Sequence, residues 1–203
     1  ATLNLVKEIK DDLHLDPWDY DINNPEFEND RPTYELLASG KTNGVFQVES
    51  AGMKDLLIRL KPKLEQLDFE VISVILALYR PDSMGALDEY VEMATGGSRP
   101  PSIHPDMDEI LKDTNYCMIY QEQLLDIVKK FGGRTYGGAD LFRKAIGKKI
   151  VELVKKESEI LRNEIVDNGY SKEIANKIAD ELSSKGGYLF NKSHSYSYAV
   201  LCF

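Results

Sequence analysis

Apolar positions recur at helical spacing through most of this chain. Residues 64–79 carry them at 64, 67, 71, 74, 75 and 78, which is one face of a helix. Ile72 and Leu76 widen that face, so the helix is expected to be buried on most sides. Pro81 ends it. Ser50 is a suitable N-cap for a helix over 51–60. Further helices are expected over 33–39, 83–95 and 106–112, the second closed by Gly96-Gly97. An amphipathic stretch over 119–131 stops at Gly132-Gly133, and a short helix follows over 138–146. Residues 149–168 repeat apolar positions at 150, 154, 161 and 165 and stop at Gly169. Ile174, Ile178 and Leu182 form one stripe of a helix over 171–184. A last helix opens at Asn191 and runs to Phe203.

Two stretches break this pattern. Residues 1–32 are rich in Asp and Asn and carry Pro17, Pro25 and Pro32, so they read as a connecting segment, with a short opening helix at 3–10. Residues 44–50 (GVFQVES) alternate apolar and polar side chains and predict a short strand. The fold class is therefore mainly α, a multi-helix domain with at most one short β-strand pair. The chain closes on an apolar run, residues 198–203, with no cap or polar tail. This pattern is expected where a longer protein continues.

Composition narrows the class. Apolar residues make up 42% of the 203 positions and charged residues 29%, the balance of a globular chain with a real core. No apolar run approaches the roughly 18–20 residues of a membrane helix, so no membrane partner is expected. The two cysteines, Cys117 and Cys202, have no metal-ligand spacing and fit a reduced, cytoplasmic setting. Net charge is −9, which argues against nucleic acid until its distribution is read. Residues 1–30 hold two lysines against nine acids, whereas 134–156 hold seven Lys and Arg against Asp140 and Glu152. The second block is where phosphate would be met.

Three segments carry candidate chemistry. In 137–149 (GGADLFRKAIGKK) two glycines precede a helix and let backbone approach a ligand. Lys144 and Lys148 share a face beside Arg143, as a polyphosphate site requires. The spacing is not a Walker A loop, and on charge pattern alone it reads as a solvated basic face. In 190–198 (FNKSHSYSY) Asn191 can cap a helix whose first turn holds Lys192 and His194, an arrangement that favours an anion. There His194 and the tyrosines can instead be packed side chains. Residues 120–123 (YQEQ) place Gln121 and Gln123 at a helix start, or are surface amides with a first-turn Glu122. Asp19-Tyr20-Asp21 has the alternation of a two-metal carboxylate pair, but flanking prolines point to an acidic loop. No nucleophile triad and no metal motif is present. Cys117 reads as a small buried hydrophobe.

These segments occur together and in order, and there the chain resembles a known family. Residues 44–54 resemble G-V-F-Q-x-E-S-x-G-M-K, and 77–81 (ALYRP) resemble A-L-x-R-P. Residues 120–123 match Y-Q-E-Q, 137–149 are similar to G-G-A-D-x-x-R-x-A-x-G-K-K, and 190–195 match F-N-K-S-H-S. The family is the bacterial C-family replicative DNA polymerase, DNA polymerase III alpha subunit type. The matches run from Thr42 to the last residue. Residues 1–41 are then a connector from the palm, and 42–203 are helical fingers.

The resemblance implies a DNA-directed DNA polymerase acting in replication. Its fingers engage a deoxynucleoside triphosphate and template–primer DNA. Catalytic aspartates and Mg²⁺ lie outside this chain, so no catalytic or metal residue is expected within it. Arg143, Lys144 and Lys148 become triphosphate or template-backbone contacts. Asn191, Lys192 and His194 become nucleotide-side residues, and Arg80 and Gln121 shape the same surface. Expected partners are the palm and other polymerase domains, with replisome subunits bound through other regions. Asp82-Ser83 replaces the family's Gly-Pro, Lys144 a second Arg, and Leu189 a small residue, which implies a divergent branch. A non-enzymatic helical interaction module is the rival from another class. A stand-alone nucleotide-binding enzyme would lack both nucleophile and metal site.

Overall fold

The computed structural model describes residues 29–99, 101–148 and 150–202. Eleven α-helices lie among these residues. The expected helix at 3–10 and the acidic loop at 19–21 fall outside them. Five helices come first: α1 Arg31–Ala38, α2 Ala51–Arg59, α3 Lys61–Leu64, α4 Phe69–Leu78 and α5 Met84–Ala94. Then follow α6 Pro105–Leu111, α7 Gln121–Gly132, α8 Tyr136–Gly147, α9 Val151–Asp167, α10 Lys172–Lys185 and α11 Lys192–Cys202. No strand forms among the described residues, and one isolated parallel bridge pairs Tyr120 with Phe190.

Apolar side chains collect in two cores. The first is built by α1–α5 and α11, around Leu37, Leu57, Val71, Ile75, Tyr90 and Ala199. The second is built by α6–α10, around Leu111, Leu124, Phe131, Phe142, Leu161 and Ile178. The chain crosses between them at 117–120. Cys117, Ile119 and Tyr120 enter the first core there and Met118 the second. It crosses back at Leu189, in the second core, and Phe190, against the first. α11 then returns to pack along α4.

Local chemistry explains most helix ends. The Ser50 hydroxyl accepts the Met53 N–H at 3.3 Å, and Ser171 accepts that of Ile174 at 3.2 Å. Gly169, at φ 92°, closes α9 in a left-handed turn that a side chain would strain. Two sequence expectations need correction. The helix over 64–79 is two, α3 and α4, separated by a turn. Asp68 N–H bonds the Lys63 carbonyl and Leu67 N–H that of Leu64, the pairing of a helix-terminating αL turn. Leu67 occupies the left-handed position at φ 59°, where glycine is usual, so no glycine marks the stop. Residues 44–50 are a run of turns and not a strand. Thr42 Oγ1 donates to the Val48 carbonyl at 2.6 Å, Glu49 accepts Gly44 N–H at 3.0 Å, and Gln47 has φ 64°. These local bonds take the groups that a strand partner would have needed.

Buried polar side chains fix the crossing. Gln123 Oε1 accepts the N–H groups of Ile119 and Tyr120 at 2.8 and 2.9 Å, and its Nε2 donates to Thr114 Oγ1 at 2.7 Å. Ser73 Oγ lies 2.9 Å from Tyr120 Oη and 3.0 Å from Ser195 Oγ, which links α4, the crossing and α11. A third tie is ionic. Lys185 at the end of α10 meets Glu89 on α5 at 2.9 Å and Glu181 at 3.0 Å. Burial works against that ammonium, but the two carboxylates outweigh it and raise its pKa.

Gln123→Ala would leave two buried N–H groups without an acceptor, at a cost of about 3 kcal/mol. The measurement is the shift in urea midpoint, with the exposed Lys156→Ala unchanged as control.

Candidate functional site

The bridge puts two helix starts side by side. Phe190 N–H donates to the Ile119 carbonyl at 2.9 Å, and Gln121 N–H to the Phe190 carbonyl at 2.8 Å. A helix begins just beyond each bridge residue, α7 at Gln121 and α11 at Lys192 after Asn191. Both therefore present a positive dipole end on neighbouring ground. Asn191 caps α11 as expected: its Oδ1 accepts the His194 N–H at 3.0 Å and the Ser193 hydroxyl at 2.7 Å.

The anion already at this place belongs to the protein. Glu122 Oε1 accepts Asn191 Nδ2 at 2.9 Å, and its Oε2 accepts Lys192 N–H at 3.0 Å. A first-turn glutamate of α7 thus caps the neighbouring helix, a role its position in YQEQ does not reveal. Lys192 Nζ turns to Glu70 Oε2 at 3.3 Å and lies 5.2 Å from the Tyr120 ring centre. Glu70 Oε1 is buried with no hydrogen-bond partner. Glu70, Glu122, Lys192, Ser193 and Tyr196 line a cleft of about 660 Å³.

α8 brings the basic residues. Thr135 Oγ1 accepts Gly138 N–H at 3.2 Å and starts the helix. Arg134 anchors that turn to α9 through Glu164 at 2.7 Å and Glu157 at 3.3 Å. Arg143 NH1 reaches Gln121 Oε1 at 3.4 Å, so α8 touches the paired helix starts. Its guanidinium also meets Asp140 at 2.7 Å, and Lys144 meets the other oxygen of the same carboxylate at 2.7 Å. Hydrogen bonds from Lys144 and then Arg143 hold the Asp140 carboxyl below its ordinary 3.8.

The expected residues divide into three groups. Arg143 bonds Gln121, and Asn191 and Lys192 bond the adjoining Glu122, so these four gather around the start of α7. Arg80 lies behind them as a brace. Its Nε donates to the Ala77 carbonyl and its NH2 to that of Tyr188, both at 2.8 Å, and its guanidinium lies 4.6 Å from the Phe190 ring. Burial lowers its pKa from the ordinary value. Lys144 and Lys148 point along the outer side of α8, and Lys148 is exposed. The His194 ring sits 5.5 Å from Phe190 and 4.4 Å from Tyr198. Tyr196 packs on Phe69 and Tyr198 on Phe46. Sequence reasoning missed Glu70, which pairs with Lys192, and the roles of Asp140 as the partner of Arg143 and Lys144 and of Glu122 as the cap of α11. Opposite charge near each lysine was the available signal, but only Asp140 is close in sequence.

The chemistry here is charge presentation. Both thiols are buried, and burial pushes each up to about 12, so neither is a nucleophile at neutral pH. A separate groove of about 1230 Å³ between α9 and α10 holds none of the expected residues and is lined by mixed charges, with Arg162 tied to Asp180.

Comparison with known proteins decides the kinship. Residues 2–169 match the family described as Bacterial DNA polymerase III alpha subunit finger domain. The chain belongs to this family. DNA polymerase III subunit alpha of Aquifex aeolicus is 38% identical over 99% of the chain and 17% of its own length. The protein of that name from Halalkalibacterium halodurans is 39% identical over 86% of the chain and 15% of its own length. That from Borreliella burgdorferi is 36% identical over 100% and 17%. The chain thus spans about a sixth of these relatives. Its described residues are mainly helical, and none of its described helices is long and apolar enough to cross a membrane.

The Asp140 pairing predicts a titration. A carboxyl held low in the folded chain stabilises it at neutral pH, and the contribution goes as pH falls through the folded value. Carboxyl NMR should find Asp140 titrating below ordinary aspartate, and Lys144→Ala should move it upward.

Proposed function

We propose that this chain is the fingers segment of a DNA-directed DNA polymerase and engages an incoming deoxynucleoside triphosphate and template–primer DNA. The observation that carries the reading is the junction of Arg143, Gln121, Asn191 and Lys192, contributed by three separate family motifs that the fold brings into contact. Arg143 offers a planar fork to phosphate oxygens. Asn191, Lys192 and His194 face the nucleotide at the start of α11. Lys144 and Lys148 extend the positive surface along α8. Arg80 braces the loop before α11 and acts by position.

The side chains at the junction are held before any ligand arrives. A phosphate group therefore exchanges for a carboxylate: Asp140 gives up Arg143, and Glu122 gives up the Lys192 N–H. The segment contributes orientation of the triphosphate and stabilisation of charge on departing pyrophosphate. Two-metal chemistry is assigned to a palm outside this chain. Among the described residues no group of three or more His, Cys, Asp or Glu side chains is placed to hold a metal ion. The palm, the other domains and the replisome subunits are the partners proposed for the longer protein.

Titration with primer–template DNA at low salt tests the reading. Binding should weaken as salt rises, Lys148→Ala should lower it roughly tenfold, and Arg143→Ala should lower binding of dATP by a similar factor. Unchanged binding in both variants would contradict these contacts. With Mg²⁺, triphosphates and primed template, the chain alone should extend no primer, and extension would overturn the assignment of catalysis to residues outside it.

A further inference from the structure

The outer ridge of α8 carries a residue that the phosphate reading leaves unused. Helical spacing sets Gly137, Leu141, Lys144 and Lys148 along one side, opposite the buried Ala139, Phe142 and Ile146. Leu141 is 65% exposed, more than any other large apolar side chain described. One exposed leucine is ordinary. Its setting is not, for three reasons. It lies one turn before Lys144 and two before Lys148 on the same side, in the most basic block of the chain. Gly137 leaves bare backbone one turn before it, with only Thr135 Oγ1 near the place a Cβ would take, at 3.9 Å. And Leu141, Lys144 and Lys148 line neither of the clefts of about 660 and 1230 Å³.

A triphosphate needs enclosure by several fixed donors, which this ridge lacks. A polynucleotide needs cations spaced along its backbone and an apolar surface for its sugars and bases. We infer that Leu141 is a DNA contact, packing on sugar or base while Lys144 and Lys148 meet flanking phosphates of the template–primer. The inference rests on the proposed polymerase function and adds a division of labour to it: the ridge takes DNA, and the junction of Arg143 with α11 takes the triphosphate.

Leu141→Gln tests it, because glutamine has similar size and helix propensity and adds no charge. Binding of the whole chain to labelled primer–template is measured across a salt series, beside binding of dATP. Leu141→Gln should weaken DNA binding about threefold to tenfold and leave the slope of log affinity against log salt unchanged. Lys148→Ala should instead make that slope shallower by about one. Affinity for dATP should be the same in Leu141→Gln and the parent. DNA affinity unaffected by Leu141→Gln would overturn the inference and assign the leucine to a protein contact, with the function intact. Equal losses for DNA and dATP would overturn the division of labour. A parent chain that binds neither would overturn both the inference and the function it rests on.

Discussion

The site depends on one short contact, the parallel pairing of Tyr120 with Phe190. Two backbone hydrogen bonds join these segments, and each segment leads into a helix. The pairing aligns α7, which belongs to the second core, with α11, which belongs to the first. The contact is too small to persist alone in water. It is held from one side by Gln123, from below by Ser73 with Tyr120 and Ser195, and from behind by Arg80 on the Tyr188 carbonyl. All are polar groups in largely apolar surroundings, where each unmade bond is costly. That cost makes the geometry specific.

Electrostatic poise follows from this scaffold. A chain of net charge −9 gathers several cations on one side yet leaves few of them unopposed. Asp140 takes Arg143 and Lys144, Glu70 takes Lys192, and Glu122 takes the start of α11. The carboxylates keep the cations in place and stop them from repelling each other. They also set a threshold: an anion must offer more than one carboxylate does. A triphosphate, with several charged oxygens, meets that condition better than a monoanion.

Much of this was legible in sequence where the cause is local. Ser50 and Asn191 were readable as caps because a side chain bonds a backbone group three residues on. Gly169 was readable as a stop because glycine tolerates a left-handed turn. The break at Leu67 was not, because a leucine there keeps the apolar period while its backbone leaves the helix. The turns at 44–50 were not, because alternation of Val45, Phe46, Gln47 and Val48 looks the same with or without a strand partner. Glu122 was readable as a first-turn acid of its own helix, but its bond to a helix 70 residues later depends on the seam. The motif resemblance supplied the functional residues together, and the fold supplied the reason that three of those motifs touch.

The central claim is that one seam assembles a single ligand surface from Gln121, Arg143, Asn191 and Lys192. Amide chemical-shift mapping of the chain during titration with dATP tests this most directly. The account predicts that the largest shifts fall together on residues 120–122, 140–144 and 190–195, with one common saturation curve. Shifts confined to the α9–α10 groove, or separate curves for α8 and α11, would contradict it.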